Sequence, residues 1–440
     1  MLKKENRILK ENDIRFTNCE LRITTYVSFI YSLAIVTAQL LYSIVAIFNP
    51  KARLFVDGRK GLFEKLKSRL AANNQPLAWV HCASLGEFEQ GRPIIEAFKK
   101  QLPHYKILLT FFSPSGYEVR KNYPGADYIF YLPWDTATSA KRFIKIANPA
   151  LAIFVKYEFW YHYSKELNSK NIPIISASCI FRPNQVFFKW YGPIFRVILK
   201  NFTHFFVQSN QSIELLNQIG IENVTLAGDT RFDRVHDIVQ NSNPIDIAQQ
   251  FKDTDKVFVV GSLWPEDLEV LAPFINENKD LLKFIIAPHE ISENFLKEIE
   301  TSIHVKSVRF SKTGQHLHTY NVLIIDNVGM LSSLYRYGEF AFVGGAYGKG
   351  LHNILEAACY GVPIFFGNKN YEKFEEAKEL IMRGGAFSVA DYSELKATYE
   401  LMINRPENYL LACEVTKSYV TENLGATEKI MSYCHKLLNT

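Results

Sequence analysis

From Pro76 onwards the chain repeats one pattern, in which short apolar runs alternate with amphipathic stretches: LAWVHCA, KILLTFF, YIFYLP, LAIFV, PIISAS and HFFVQS, then VFVVGS, KFIIAPH, VLIIDN, FAFVGG and VPIFFG. Strands need uninterrupted apolar runs of this length when both faces of their sheet are covered, and the helical stretches between them supply the crossovers of parallel strands. The pattern predicts an α/β protein. It breaks over Val235–Asp255, a polar stretch with an Asn-Pro, which reads as a linker (236–255) between two Rossmann-like domains, 49–235 and 256–440. A chain of 440 residues is long enough for two such cores. Open α/β sheets bind ligands beyond the carboxyl ends of their strands, so the two halves are expected to face each other across a cleft.

The N-terminus is written differently. After a polar extension, 1–22, the segment 23–48 (ITTYVSFIYSLAIVTAQLLYSIVAIF) runs 26 residues without a charge, and roughly 20 apolar residues suffice to cross a bilayer. Its Ser, Thr and Gln39 also suit a helix lying in the interface. No small-residue cleavage site follows, so the segment reads as an anchor rather than a removable signal. The next stretch, KARLFVDGRKGLFEKLKSRL, holds seven Lys/Arg against two acids. Positive flanks stay in the cytoplasm, which puts the body of the protein on the inner leaflet.

Composition narrows the function. The net charge of +5 lacks the dense basic clusters of a nucleic-acid binder, so nucleic acid is not an expected partner. Six cysteines with no CxxC pair indicate neither a zinc site nor a disulfide framework.

Two stretches carry candidate chemistry. In FAFVGGAYGKGLHNILEAACYGVPIFFG, Gly344, Gly345, Gly348 and Gly350 form a loop whose backbone amides are expected to approach an anion. His352 and Glu356, four apart, are expected on one face of the following helix with Asn353 beside them. A carboxylate there can accept both hydroxyls of a ribose, which is nucleotide recognition without a Walker lysine or a GxGxxG fingerprint; the same glycines also suit a simple turn, with Glu356 solvated. In WVHCASLGEFEQGRP, Glu87 follows a strand and opens a helix, where a carboxylate complements the dipole or meets a substrate. His81 and Cys82, on the strand, read as core.

Several ordered motifs resemble the 3-deoxy-D-manno-octulosonic acid (Kdo) transferases of lipopolysaccharide synthesis: DNVGMLSSLYRYGEFAFVGGAYGKGLHNILEAACYGVPIFFG, HCASLGEFEQGRPIIEAF, VQSNQSIELLNQIGIENVTLAGDTRFDRV and GSLWPED. The likeness runs from about Asn49 to Thr440. It implies an inverting GT-B glycosyltransferase with an N-terminal anchor in the inner membrane, CMP-Kdo as donor and a lipid A precursor (lipid IVA) as acceptor; neither cofactor nor metal is expected. Residues 49–235 would then be the acceptor domain and 256–440 the donor domain.

The family's Ser-x-Gly-Glu motif matches Ser84-Leu85-Gly86-Glu87, which makes Glu87 the general base, with Ser84 and Gly86 beside the acceptor. On the donor side, Gly329 and Met330 match the helix start that receives the nucleotide, Asn353 and Glu356 the His-Asn-x-x-Glu pattern, and Ser262 the first loop of that half. His289 matches the family's Pro-Arg-His segment, although Ala287-Pro288 departs from it and the arginine is missing. Ser113 falls in the second strand-loop. Glu158, with Trp160, is what remains of the family's Glu-Thr-Glu-Leu-Trp-Pro segment, and Arg182 is the basic residue matching the next one. Another GT-B enzyme, such as a lipid A disaccharide synthase or a nucleotide-sugar epimerase, would share the glycine loop but not the Ser-x-Gly-Glu segment. A non-enzymatic membrane-bound nucleotide sensor would need the nucleotide residues alone.

Overall fold

A computed structural model describes residues 28–438; the 1–22 extension and the first residues of the 23–48 segment lie outside them. The chain divides into two units, one holding the described residues up to Arg231 together with those from Gly425 onwards, the other Phe232–Leu424.

The first unit is built on a seven-stranded sheet: β1 (Leu77–Cys82), β2 (Lys106–Phe111), β3 (Tyr128–Tyr131), β4 (Leu151–Val155), β5 (Ile174–Cys179), β6 (His204–Val207) and β7 (Val224–Leu226), in the order β3-β2-β1-β4-β5-β6-β7. Every pairing is parallel. Successive side chains of β1 alternate between two cores: Leu77 and Trp79 enter one, Ala78, Val80 and Cys82 the other. That two-sided burial is why the strand reads as an unbroken apolar run. The helix Leu85–Gln101 packs tightly on this sheet because Gly91 leaves no side chain there; a Cβ would stand 2.8 Å from Cys82 Sγ and 3.1 Å from a Val155 methyl.

The second unit repeats the plan with β8 (Val257–Leu263), β9 (Lys283–Pro288), β10 (Ser307–Arg309), β11 (Val322–Ile324), β12 (Phe340–Val343), β13 (Ile364–Gly367) and β14 (Ala386–Val389), all parallel, in the order β10-β11-β9-β8-β12-β13-β14. The apolar pattern misses β7, β10 and β14. Each is an outer strand of three or four residues, too short and too half-covered to write a distinct apolar run.

The stretch expected as a linker is helical instead: Thr230–Asn241 carries the chain from one unit into the other, and Asp246–Lys252 follows. The final helix, Ala426–Leu438, returns to the first unit, where Ile430, Met431 and Cys434 are buried and His435 Nε2 lies 2.9 Å from Gln101 Oε1. At the other end, Ser28–Phe48 is a helix long and apolar enough to cross a membrane.

Trp79 ties the first core together. It is fully buried, packs on Phe143, Phe154 and Tyr163 at centroid distances of 4.8, 5.0 and 5.6 Å, and donates from Nε1 to Thr110 Oγ1 at 2.8 Å. We predict that Trp79→Ala costs about 3–5 kcal/mol in urea unfolding, the range for emptying a large aromatic site; a loss below about 1 kcal/mol would mean that this core is not the packed one described.

Candidate active site

In both units the order of strands reverses beside the first strand, at β1/β4 and at β8/β12. The sequence-predicted residues gather around these points. Ser84, Gly86 and Glu87 follow β1, Ser113 follows β2, Glu158 follows β4 and Arg182 follows β5. In the second unit Ser262 lies at the end of β8, His289 follows β9, Gly329 and Met330 follow β11, and Gly344 and Gly345 follow β12. All thus lie at the carboxyl edges where such sheets bind ligands.

Ser84 is the N-cap of helix Leu85–Gln101, and its Oγ accepts from Gly86 N. Ser-x-x-Glu is also a capping-box pattern, in which the glutamate would reach back to the cap's own backbone amide. Glu87 does something else: its Oε2 accepts the Ser84 hydroxyl proton, and Oε1 has no hydrogen bond among the described residues. The carboxylate is half-buried. Its serine holds one oxygen and leaves the other available to a substrate hydroxyl. Arg182 donates to the Tyr157 hydroxyl at 3.0 Å. Burial, with smaller contributions from Cys179 and from Glu87, raises the Tyr157 phenol against the opposing pull of Arg182. Glu87, Tyr157 and Arg182 therefore share one electrostatic neighbourhood.

Glu158 is held from two sides. Trp160 Nε1 donates to its Oε2 at 2.7 Å and His81 Nε2 lies 3.1 Å from the same oxygen. A consistent relay runs through the fully buried His81: Trp79 donates to Thr110 Oγ1, Thr110 to His81 Nδ1 at 2.9 Å, and His81 Nε2–H to Glu158. His81 is core, as its place on β1 implies, but its ring also orients the Glu158 carboxylate. Sequence offered no signal for this link, which joins residues 77 apart. A second hidden brace is Asp229, which accepts from Gln90 Nε2 at 3.1 Å and from Arg231 Nε at 2.9 Å, tying GDTR to the helix that carries Glu87.

In the second unit Ser262 sits on a bulge of β8 with φ +54°, a left-handed conformation that favours glycine. Its carbonyl crowds Gly344, where a Cβ would collide with it; at Gly345, φ is +95° and a Cβ would stand 2.5 Å from Gly350 O and 2.8 Å from the His352 ring. These glycines are required by packing. Their amides are not open to an anion as expected, because Gly344 N donates to Gly261 O and Gly345 N to Asp267 Oδ2, both at 2.9 Å. What the loop offers an anion is cations. Lys349 Nζ lies 4.2 Å from the Trp264 ring centroid, and Lys373 Nζ stands 3.1 Å from where a Cβ at Gly350 would be. These lysines supply positive charge in a half whose His289 segment lacks the arginine.

Asp267, fully buried, also accepts from Trp264 N at 2.9 Å; burial, opposed by the two amides, pushes its carboxyl up to about 6. His352 accepts from Trp264 Nε1 at 2.9 Å, and its ring lies 4.4 Å from that of His289, which stacks on Trp264 at 4.3 Å. His352 does not share a helix with Glu356. The helix is only Leu355–Ala358, because Asn353 Oδ1 accepts from Leu355 N at its start and Gly361, at φ +68°, turns the chain soon after. Asn353 instead orients Glu356 directly, donating to Oε1 at 3.1 Å. Met330, after Gly329 at φ +93°, caps the equally short helix Leu331–Leu334.

Solved structures of the same architecture include the UDP-GlcNAc 2-epimerase from Neisseria meningitidis (TM-score 0.58, 15% identity, covering 82% of this chain and all of that one) and MurG of Acinetobacter baumannii (TM-score 0.50, 12% identity, 82% and 99% covered). The fold is GT-B, with an apolar N-terminal helix added. Within that class, the family profile described as 3-Deoxy-D-manno-octulosonic-acid transferase (kdotransferase) matches residues 58–234. The 3-deoxy-D-manno-octulosonic acid transferase of Aquifex aeolicus is 28% identical over 323 residues, 72% of this chain and 83% of that protein; the one of Rickettsia felis is 25% identical over 390 residues, 87% and 83%. Residues 58–234 thus carry a Kdo transferase domain, and the likeness to these relatives over 72% and 87% of the chain supports a glycosyltransferase.

Two measurements probe the second unit. Ser262→Gly relieves the left-handed serine, so thermal stability is predicted to rise by up to about 1 kcal/mol while calorimetric affinity for CMP falls; a stabilised variant with unchanged affinity would remove Ser262 from the nucleotide site. Burial, and secondarily His289, holds His352 down at about 4, below the usual histidine value of about 6.5. The unfolded chain then binds the extra proton, so this contribution to stability is present above about 6.5 and is lost as pH falls through about 4. His352→Gln is predicted to flatten that acid limb of the stability profile, and an unchanged limb would contradict the assignment.

Proposed function

We propose that the protein transfers Kdo from CMP-Kdo to a lipid A precursor, lipid IVA, at the cytoplasmic face of the inner membrane. The observation that carries the reading is the Ser84–Glu87 pair, a carboxylate with one oxygen held by its own helix cap and the other unengaged. In the transfer, Glu87 takes the proton of the acceptor hydroxyl as that oxygen bonds to the anomeric carbon of Kdo. The bond from that carbon to the CMP phosphate breaks, and its electron pair leaves with CMP. Inversion follows from a single displacement. Arg182 and Tyr157 suit the acidic groups of the acceptor, and Ser113 and Glu158 its hydroxyls. Glu356, oriented by Asn353, accepts the ribose hydroxyls, with Gly329, Met330, Ser262 and His289 around the nucleotide and Lys349 and Lys373 near its phosphate. The apolar helix and the basic stretch after it favour the inner membrane, with its lipids as partners and the basic side in the cytoplasm.

Glu87→Gln tests the reading because it keeps shape and removes the base. Transfer should fall by about two to four orders of magnitude while calorimetric affinity for CMP is unchanged; near-normal turnover by a folded variant would return Glu87 to helix capping.

A further inference from the structure

The apolar helix Ser28–Phe48 does not project from the first unit; it lies along it. Near one end Tyr31 OH donates to the buried Asp135 Oδ2 at 2.7 Å and Ser32 Oγ lies 2.9 Å from His162 Nε2. Asp135 is itself fixed, accepting from His162 N and Tyr163 N at 3.0 Å. Towards the other end Tyr42 packs on Phe55 at 4.8 Å and on Trp134 at 5.7 Å, and Arg53 caps the last turn by donating to Ile47 O at 2.9 Å. Eleven residues separate the two tyrosines, about 16 Å at 1.5 Å rise per residue. A helix held over that length cannot stand across a bilayer while the unit stays in water. Its other face is apolar and open, with Ile30 63%, Leu40 62%, Ile44 58% and Phe48 83% exposed. That geometry is one of a helix lying in the membrane interface.

Between this helix and the body of the unit runs a groove of about 480 Å³, within the roughly 300–1,000 Å³ of ligand sites. Leu41 and Val45 of the helix line it together with Phe55 and Phe112, and the exposed Lys51 and half-buried Ser113 also line it. The walls are rigid: Arg59 donates to Phe55 O at 2.8 Å, to Phe112 O at 2.7 Å and to Leu132 O at 2.9 Å, with its guanidinium 3.8 Å from the Phe55 ring centroid. Ser113 adjoins the loop that carries Glu87. Ser113 N donates to Ala83 O at 2.7 Å, one residue before Ser84, and a Cβ at Gly116 would stand 3.0 Å from the Ser84 carbonyl carbon. An apolar slot thus leads from a lipid-facing helix to the loop that carries Glu87, with an exposed lysine ammonium in its lining.

We propose that the helix is a wall of the acceptor site and that the groove takes one acyl chain of the lipid acceptor, drawing the headgroup towards Glu87. This rests on the reading of the acceptor as a lipid. Continuity with the exposed face of the helix selects an acyl chain, since whatever enters from that side comes from the bilayer. The exposed lysine matches an acidic headgroup.

Two readouts on the full chain test it. Val45→Trp fills the groove from the helix side and Leu41→Ala enlarges it; thermal melting confirms that each variant is folded. KM for lipid IVA should rise about tenfold in Val45→Trp and change less in Leu41→Ala, with KM for CMP-Kdo and sedimentation with anionic vesicles both unchanged. Lipid IVA carrying a photoactivatable diazirine in an acyl chain should crosslink to the peptides containing Leu41 and Phe112. An unchanged KM for lipid IVA, or a rise that tracks lost vesicle binding, would overturn the proposal. So would crosslinking confined to the outer face at Ile30 and Ile44. If the unaltered protein transfers no Kdo to lipid IVA, the proposed function fails, and the crosslinking pattern still decides the groove.

Discussion

Most candidate site residues of this protein lie at the ends of its strands because the sheets are buried on both faces. A parallel sheet covered by helices has no room for an unpaired polar side chain along its length, where burial without a partner costs a few kcal/mol. Polar chemistry is left to the loops at the carboxyl edge. Ser84 and Glu87, Ser113, Glu158, Ser262, His289 and Gly344 all lie within five residues of a strand end. Ser262 on β8 is a polar residue held in a left-handed conformation where glycine would be easier.

The same constraint bears on some of the buried polar groups. Several of them are braces: His81 reaches Glu158, Asp267 holds Trp264 and Gly345, and Asp229 joins Gln90 to Arg231. Asp135 does the same for the apolar helix through Tyr31. The Asp267 carboxyl, pushed up to about 6 by burial, marks the cost of placing such a brace in the interior.

Much of this was legible in the sequence, for a physical reason. Eleven strands were readable because two-sided burial writes unbroken apolar runs; β7, β10 and β14 were not, because an outer strand of three or four residues carries too little burial to leave a period. The candidate site residues follow the same pattern to the strand ends, and the motifs that resemble the family's single them out. What could not be read was pairing at a distance. Nothing local to His81 announces Glu158, and nothing in Arg59 announces Phe112. His352 and Glu356 do not share the helical face that their four-residue spacing suggests, because the Asn353 cap and Gly361 confine the helix to one turn. Of the two readings of the glycine loop, an anion cradle and a simple turn, the structure favours the turn, since the Gly344 and Gly345 amides close on Gly261 and Asp267.

The most direct test of the account is mass spectrometry of lipid IVA after incubation with the purified full chain and CMP-Kdo. The account predicts an acceptor carrying added Kdo, with CMP released in equal amount and both lost together in Glu87→Gln. CMP released without a modified acceptor, or an unchanged acceptor beside an altered donor sugar, would contradict it.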